Sequence, residues 1–141
     1  MARSNKGKEG AAARSKKASQ LLERLVEWPE SWAIDDEKDI RTGEEITAVL
    51  REFAQSLVDA GLAPSTIDRH LSNLWLLGGE IISDINHDPP LRRKKAATLL
   101  EDTVDDTGGP YSRHLDSDAE RRSFDATCKK LYKYFQARHG R

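Results

Sequence analysis

A chain of 141 residues that is 37% hydrophobic and 33% charged, with a net charge of −1, can fill one modest core but not two. No apolar run approaches the roughly 18 residues that cross a bilayer, and no apolar stretch follows the basic start "MARSNKGKEGAAARSKKAS", so neither membrane nor secretory leader is expected and the expected location is cytoplasmic. The single cysteine, Cys128, excludes an internal disulfide and a multi-cysteine zinc site.

The first 18 or so residues are rich in Ala, Gly, Ser and Lys and lack large apolar groups. Burial could not offset the entropy of ordering them, so residues 1–18 read as a flexible basic arm and 19–141 as one helical domain. Leu21, Leu22, Leu25 and Val26 then recur at helical spacing as far as Trp28, with Pro29 as the stop. Trp28 and Trp32 in the acidic connector that follows read as packing anchors.

Thr42 stands three residues before Glu45, the reciprocal arrangement that satisfies free N–H groups at a helix start. Ile46, Val49, Leu50, Phe53, Leu57 and Val58 share one face of that helix, and Gly61 is placed to end it in a left-handed turn. Pro64 and Ser65 open the next helix, whose apolar positions Ile67, Leu71, Leu74, Trp75, Ile81, Ile82 and Ile85 run to about Asn86. Gly78 and Gly79 inside it each cost about 1 kcal/mol relative to Ala, which a close crossing by another helix would explain.

Asp88 before Pro89 suits the start of a further helix, with a weaker stripe of Leu91, Leu99, Leu100 and Val104. After the turn-rich "TGGPYSRHLDSD", Ser117 and Glu120 form another capping pair. The face Phe124, Cys128, Leu131 and Phe135 then continues to Gly140. With no strand alternation and no internal repeat, the reading is all-α: a single-domain bundle of about five helices behind a disordered basic N-terminal arm.

Charge is spread unevenly over these elements. Residues 1–20 carry six basic side chains and one acidic, residues 120–141 seven and two, and the 99 residues between them 10 and 21. Such a layout fits a polyanion held by the ends, or docking to an oppositely charged protein, beside the plainer reading of a solvated surface.

Motifs for chemistry are missing. No two of His70, His87, His114 and His139 stand at the three- or four-residue spacing that grips zinc from one helix face, so no metal and no cofactor is expected. Asp116, Asp118 and Glu120 alternate as in a calcium loop but lack its glycine and closing glutamate, and fit better as acids at a helix N-terminus. Ser112, His114 and Asp116 are alternate residues of one loop rather than a triad assembled by a fold. "LGGE" has no lysine to meet a phosphate, and Cys128 on an apolar face reads as a small buried hydrophobe. The chain is therefore not expected to be an enzyme, unless distant helices assemble a site that spacing cannot reveal.

Basic chemistry remains. Arg92, Arg93, Lys94 and Lys95 are consecutive cations at an expected helix start, where mutual repulsion and the helix dipole oppose them and a phosphate would relieve the cost. On the last helix Arg122, Lys129 and Lys133 fall near one face, beside a row of Lys130, Tyr134 and Arg138. Cations interleaved with an aromatic can follow a phosphate backbone and stack on a base; the plainer reading makes them the solvated flank of a core helix.

"FAQSLVDAGLAPSTIDRHLSNLWLLGGEI", residues 53–81, resembles the two-helix centre of the SAM-like core-binding domain of tyrosine recombinases and phage integrases. The resemblance implies that the second helix touches DNA, with Thr66, Arg69, His70 and Asn73 facing it. The family's catalytic domain carries an Arg, a His-x-x-Arg and a Tyr nucleophile, whereas no histidine here has Arg at the third position after it, so the resemblance implies binding without cleavage. The later "RRSFDATCKKLYKYF" resembles part of a small bacterial protein family and implies no activity.

The resulting expectation is a non-catalytic nucleic-acid-binding protein, with DNA as the partner. Phosphate contacts are expected from Arg92, Arg93, Lys94, Lys95, Lys129, Lys130 and Lys133, and Arg69 and Asn73 are expected nearest to bases. The alternative is a protein-interaction module, adaptor or antitoxin-like, that uses its acidic middle and basic ends.

Overall fold

The computed structural model describes residues 2–139, with side chains from residue 12 onward apart from residue 36; Gly140, the expected end of the last helix, lies outside the described residues, as do the side chains that open the basic arm. The chain forms α1 (Ala2–Leu21), a 3-10 segment Leu22–Glu27, α2 (Trp28–Trp32), α3 (Asp36–Asp59) and α4 (Pro64–His87). A second 3-10 segment, Pro89–Arg93, leads to α5 (Ala96–Thr103) and α6 (Asp118–Arg138). There is no strand among the described residues, and the one isolated β-bridge, Asp105 to Gly108, closes a turn. This is the expected single-domain all-α bundle.

Among the described side chains the core starts at Ala18, because those of residues 12–17 are exposed. The described side chains of the basic N-terminal segment before Ala18 therefore add no buried face. Leu22 and Leu25 enter the core from the 3-10 segment, so the helix expected up to Trp28 changes pitch after Leu21. Pro29 does not end an element: it sits in the first turn of α2, where its missing N–H costs nothing.

α3 begins at Asp36, ahead of the Thr42–Glu45 pair expected to cap it. Thr42 Oγ1 donates back to Lys38 O at 3.1 Å, a bond made within a helix rather than at its start. Asp39 satisfies the free donors instead, accepting on Oδ2 from the backbone N–H of Ile34 (2.8 Å) and Asp35 (2.6 Å). The far end of α3 behaves as expected: Gly61 has φ 78° and turns the chain into Pro64, which opens α4.

α4 is the central helix and carries nine buried residues, among them Ile67, Leu71, Leu74, Ile82 and Ile85. The close crossing that explains Gly78 is made by a side chain, not by a helix backbone. A Cβ on Gly78 would lie 2.3 Å from Cζ2 of Trp32, whose Nε1 donates to Trp75 O at 2.9 Å. Trp28 and Trp32 are both buried and stack tilted at 5.7 Å, the packing anchors expected.

The helix expected after Asp88 is divided. Pro89–Arg93 is a 3-10 turn, Lys94 and Lys95 are extended, and α5 starts at neutral Ala96. Four cations at the positive end of a helix dipole would repel it, and the chain avoids this by leaving the helix between them and restarting after them.

The connector between α5 and α6 is anchored by α6. Arg121 donates to Pro110 O (2.8 Å), Gly109 O (3.0 Å) and Asp125 (3.1 Å). The expected cap of α6 is present, with Glu120 N–H donating to Ser117 Oγ at 3.1 Å.

Candidate functional site

α6 lies against the N-terminal half of α4, and one polar cluster joins them. Asn73 Nδ2 donates to Thr127 Oγ1 (2.8 Å), Ser123 Oγ (3.1 Å) and Ser123 O (3.1 Å), while His70 Nδ1 lies 2.8 Å from Thr127 Oγ1. His70 and Thr127 are buried. Burial first, then the charges of Arg69 and Lys130, lower the His70 pKa from 6.5 to about 4, so the imidazole is neutral at pH 7. Of the residues the recombinase likeness points to DNA, His70 and Asn73 are thus turned into the α4–α6 contact. Thr66 is half-buried in the first turn of α4, and Arg69 is exposed.

Arg69 is exposed on α4, and its charge and that of Lys130 both act on His70. Lys129, Lys130 and Lys133 are exposed and make no ion pair among the described residues. From Ala126 to Arg138 α6 contains no acidic residue. Tyr134, expected in a stacking row, is instead half-buried, packed edge-on against Phe53 at 5.2 Å and accepting a hydrogen bond from Arg138 at 2.7 Å. Arg138 also pairs with Glu52 at 2.9 Å. The available cations are therefore the three lysines, Arg122 and Arg69.

The other basic cluster sits at the opposite end of α4, about 24 Å away by helical rise between residues 70 and 86. Arg92 is not free: it pairs with Asp39 Oδ1 at 2.9 Å and donates to Thr42 Oγ1 at 3.2 Å. Asn86 Nδ2 donates to both oxygens of the same carboxylate at 3.1 and 3.0 Å. Burial alone would raise the Asp39 carboxyl, but the N–H groups of Asp35 and Ile34 with Arg92 and Asn86 together hold it below its ordinary value. Lys94 pairs with Asp102 at 3.1 Å, which leaves Arg93 and Lys95 exposed and unpaired among the described residues. The internal acids Asp39 and Asp102 thus supply part of the relief that a phosphate was expected to bring.

No group of His, Cys, Asp and Glu suited to a metal ion occurs among the described residues. Ser112 is buried and donates to Glu80 Oε1 at 2.8 Å, while the His114 backbone N–H donates to Ser112 Oγ at 3.2 Å. The first bond ties the loop to α4 and the second closes a turn within it. Burial, and then the Asp125 charge, push the Cys128 thiol up to about 12, so it is not a nucleophile at pH 7.

The feature missed in the sequence lies on the exposed side of α4. Its spacing places Trp75 in the core stripe, yet it is 43% exposed and lines two open hollows of about 610 Å³ and 680 Å³. Its place at the shoulder of the apolar stripe was the one signal available. No family model, curated protein or solved structure matches this chain.

Proposed function

We propose that the protein is a non-catalytic, cytoplasmic nucleic-acid-binding protein, with DNA as its partner, related in role to a recombinase core-binding domain without the cleaving domain. One observation carries the reading: Lys129, Lys130 and Lys133 are exposed and make no ion pair among the described residues on an acid-free stretch of helix, and exposed Arg69 of α4 acts with Lys130 on the same His70. Side chains so arranged can exchange their counterions for phosphates, an entropic gain that falls with salt. Lys95 and Arg93 extend the contact at the other end of α4. No described helix is long and apolar enough to cross a membrane.

The test is fluorescence anisotropy with labelled duplex and single-stranded DNA over a salt series. Micromolar or tighter binding is expected, and Lys129, Lys130 and Lys133 changed together to Ala should flatten the log–log salt slope by roughly two to three units. Absence of binding at low salt would end this reading. A second reading, a protein-interaction module, rests on Glu37, Glu44 and Glu45 of α3, which are exposed and make no ion pair among the described residues. It would take over if a basic protein copurified with the chain while DNA did not bind.

A further inference from the structure

Trp75 is exposed without being loose. Its indole Nε1 donates to Ser31 Oγ at 2.8 Å, Ser31 in turn donates to Trp28 O at 2.7 Å, and the backbone carbonyl of Trp75 accepts from Trp32 Nε1 at 2.9 Å. A ring held in place by such bonds has little freedom left to lose when a ligand stacks on it. The two hollows that adjoin it share Trp75, Leu76, Ser31 and His114, and each has the volume of a small-molecule site.

Around the second hollow stand Tyr111, which is 80% exposed, and the planar groups of Arg113, His114 and His87. The loop that carries Tyr111 is fixed on both sides: Arg121 donates to Pro110 O at 2.8 Å and Ser112 donates to Glu80 Oε1 at 2.8 Å. Exposed aromatic rings on rigid supports beside a planar guanidinium are the parts that hold unstacked bases.

We infer that the paired hollows on either side of Trp75 bind unstacked bases of a single-stranded nucleic acid, with the indole and the Tyr111 ring as stacking faces. The inference rests on the nucleic-acid reading above and names its strand type. Continuity of charge supports it. Arg69, whose charge acts with that of Lys130 on His70, precedes Leu76 by seven residues, about 10 Å and two turns along α4. In this inference the strand's backbone runs from the α6 lysines past Arg69 to the first hollow, and Arg113, which lines the second hollow, meets it there.

The carboxylates argue for one strand rather than two. Glu27 and Glu120 line the first hollow and Glu80 the second. A duplex laid here would bring a second row of phosphates against these acids, whereas a single strand can keep its one backbone on the cationic rim and turn its bases inward.

The experiment compares a mixed-sequence labelled single strand with a duplex of equal length, using the full chain. Tyr111→Ala and Trp75→Ala should each weaken single-strand binding by roughly 5- to 150-fold, leave duplex affinity within about twofold and leave the salt slope unchanged. Trp75→Phe keeps an aromatic face and should retain most of the affinity, and exposed Tyr111 can be removed without touching the core. If the triple lysine variant weakens binding while Tyr111→Ala and Trp75→Ala bind the single strand like wild type, the stacking site is overturned and the nucleic-acid reading stands. If wild type binds neither strand, both fall. Protection of Trp75 by an apolar peptide but by no oligonucleotide would also overturn it, in favour of a protein partner.

Discussion

The two ends of α4 carry two polar knots of opposite character. At the C-terminal end Asp39, fully buried, keeps its charge because Arg92, Asn86 and two backbone N–H groups surround it. At the N-terminal end His70, Asn73 and Thr127 form a neutral knot that excludes charge to the outside, where Arg69 and Lys130 lie. A buried carboxylate draws a cation inward and removes it from the surface, whereas a buried neutral imidazole leaves its cationic neighbours in solvent. The difference separates cations that hold the fold from cations that can hold a ligand.

The sharpest way to break this contrast is to remove Arg92. Arg92→Ala leaves a buried carboxylate without its cation and should destabilise the protein by about 3 kcal/mol, the lower end of the range for a broken buried pair because the Arg92 side chain is itself 23% exposed. Urea denaturation measures the loss, and DNA affinity of the folded fraction should stay at the wild-type value. An Arg92→Ala protein of normal stability and weakened DNA binding would return Arg92 to the phosphate-contact set.

The neutral knot makes a pH prediction with a definite sign. The folded His70 pKa, about 4, lies below its ordinary 6.5, so the unfolded chain binds more protons between these values and stability falls as pH drops through that window. The full difference is on the order of 3 kcal/mol. Asp39 acts in a separate window: its depressed pKa contributes stability above 3.8 that is lost only below it. Denaturation of wild type and His70→Gln from pH 7 to pH 4 should converge as the pH falls, and parallel profiles would show that His70 does not stay neutral in the folded protein.

The residues whose meaning was visible in the sequence are those whose partners are near in the chain or simply apolar. The stripes of α3, α4 and α6, the left-handed turn at Gly61 and the Ser117 cap depend on periodicity or on neighbours within four residues. Both knots depend on long-range pairing: Arg92 lies 53 residues from Asp39, and His70 lies 57 from Thr127. A run such as Arg92–Lys95 therefore reads as one patch, although its members have different partners. Trp75 fits the stripe in spacing but sits at its edge, and only the packing of Trp32 behind it determines that the ring faces out.

Between the knots, Gly78 provides a test of that packing. Its Cβ would be 2.3 Å from the buried Trp32 ring, which is tied by its Nε1 bond to Trp75 O. Gly78→Ala should cost about 1–3 kcal/mol despite the better helix propensity of Ala. At Gly79 the nearest atom is 3.4 Å away, so Gly79→Ala should be neutral or stabilise by up to about 1 kcal/mol. Thermal denaturation of the two variants would separate them, and equal costs would mean that Trp32 does not fill the space at Gly78.

The smallest expected effect concerns two adjacent lysines with different partners. Lys94 pairs with Asp102, but the two side chains are 48% and 55% exposed, so Lys94→Ala should change stability by less than about 1 kcal/mol. Lys95 has no ion pair among the described residues, and its loss should be neutral within about 0.5 kcal/mol. Their effects on DNA binding should rank the other way: Lys95→Ala removes a cation free to release its counterion, worth about 0.9 of a unit in the duplex salt slope, whereas Lys94 has already exchanged part of its counterion for Asp102. Salt titration of each single variant therefore distinguishes a lysine serving the protein from one serving its ligand, and equal slope changes would mean that the Asp102 pair opens when DNA arrives.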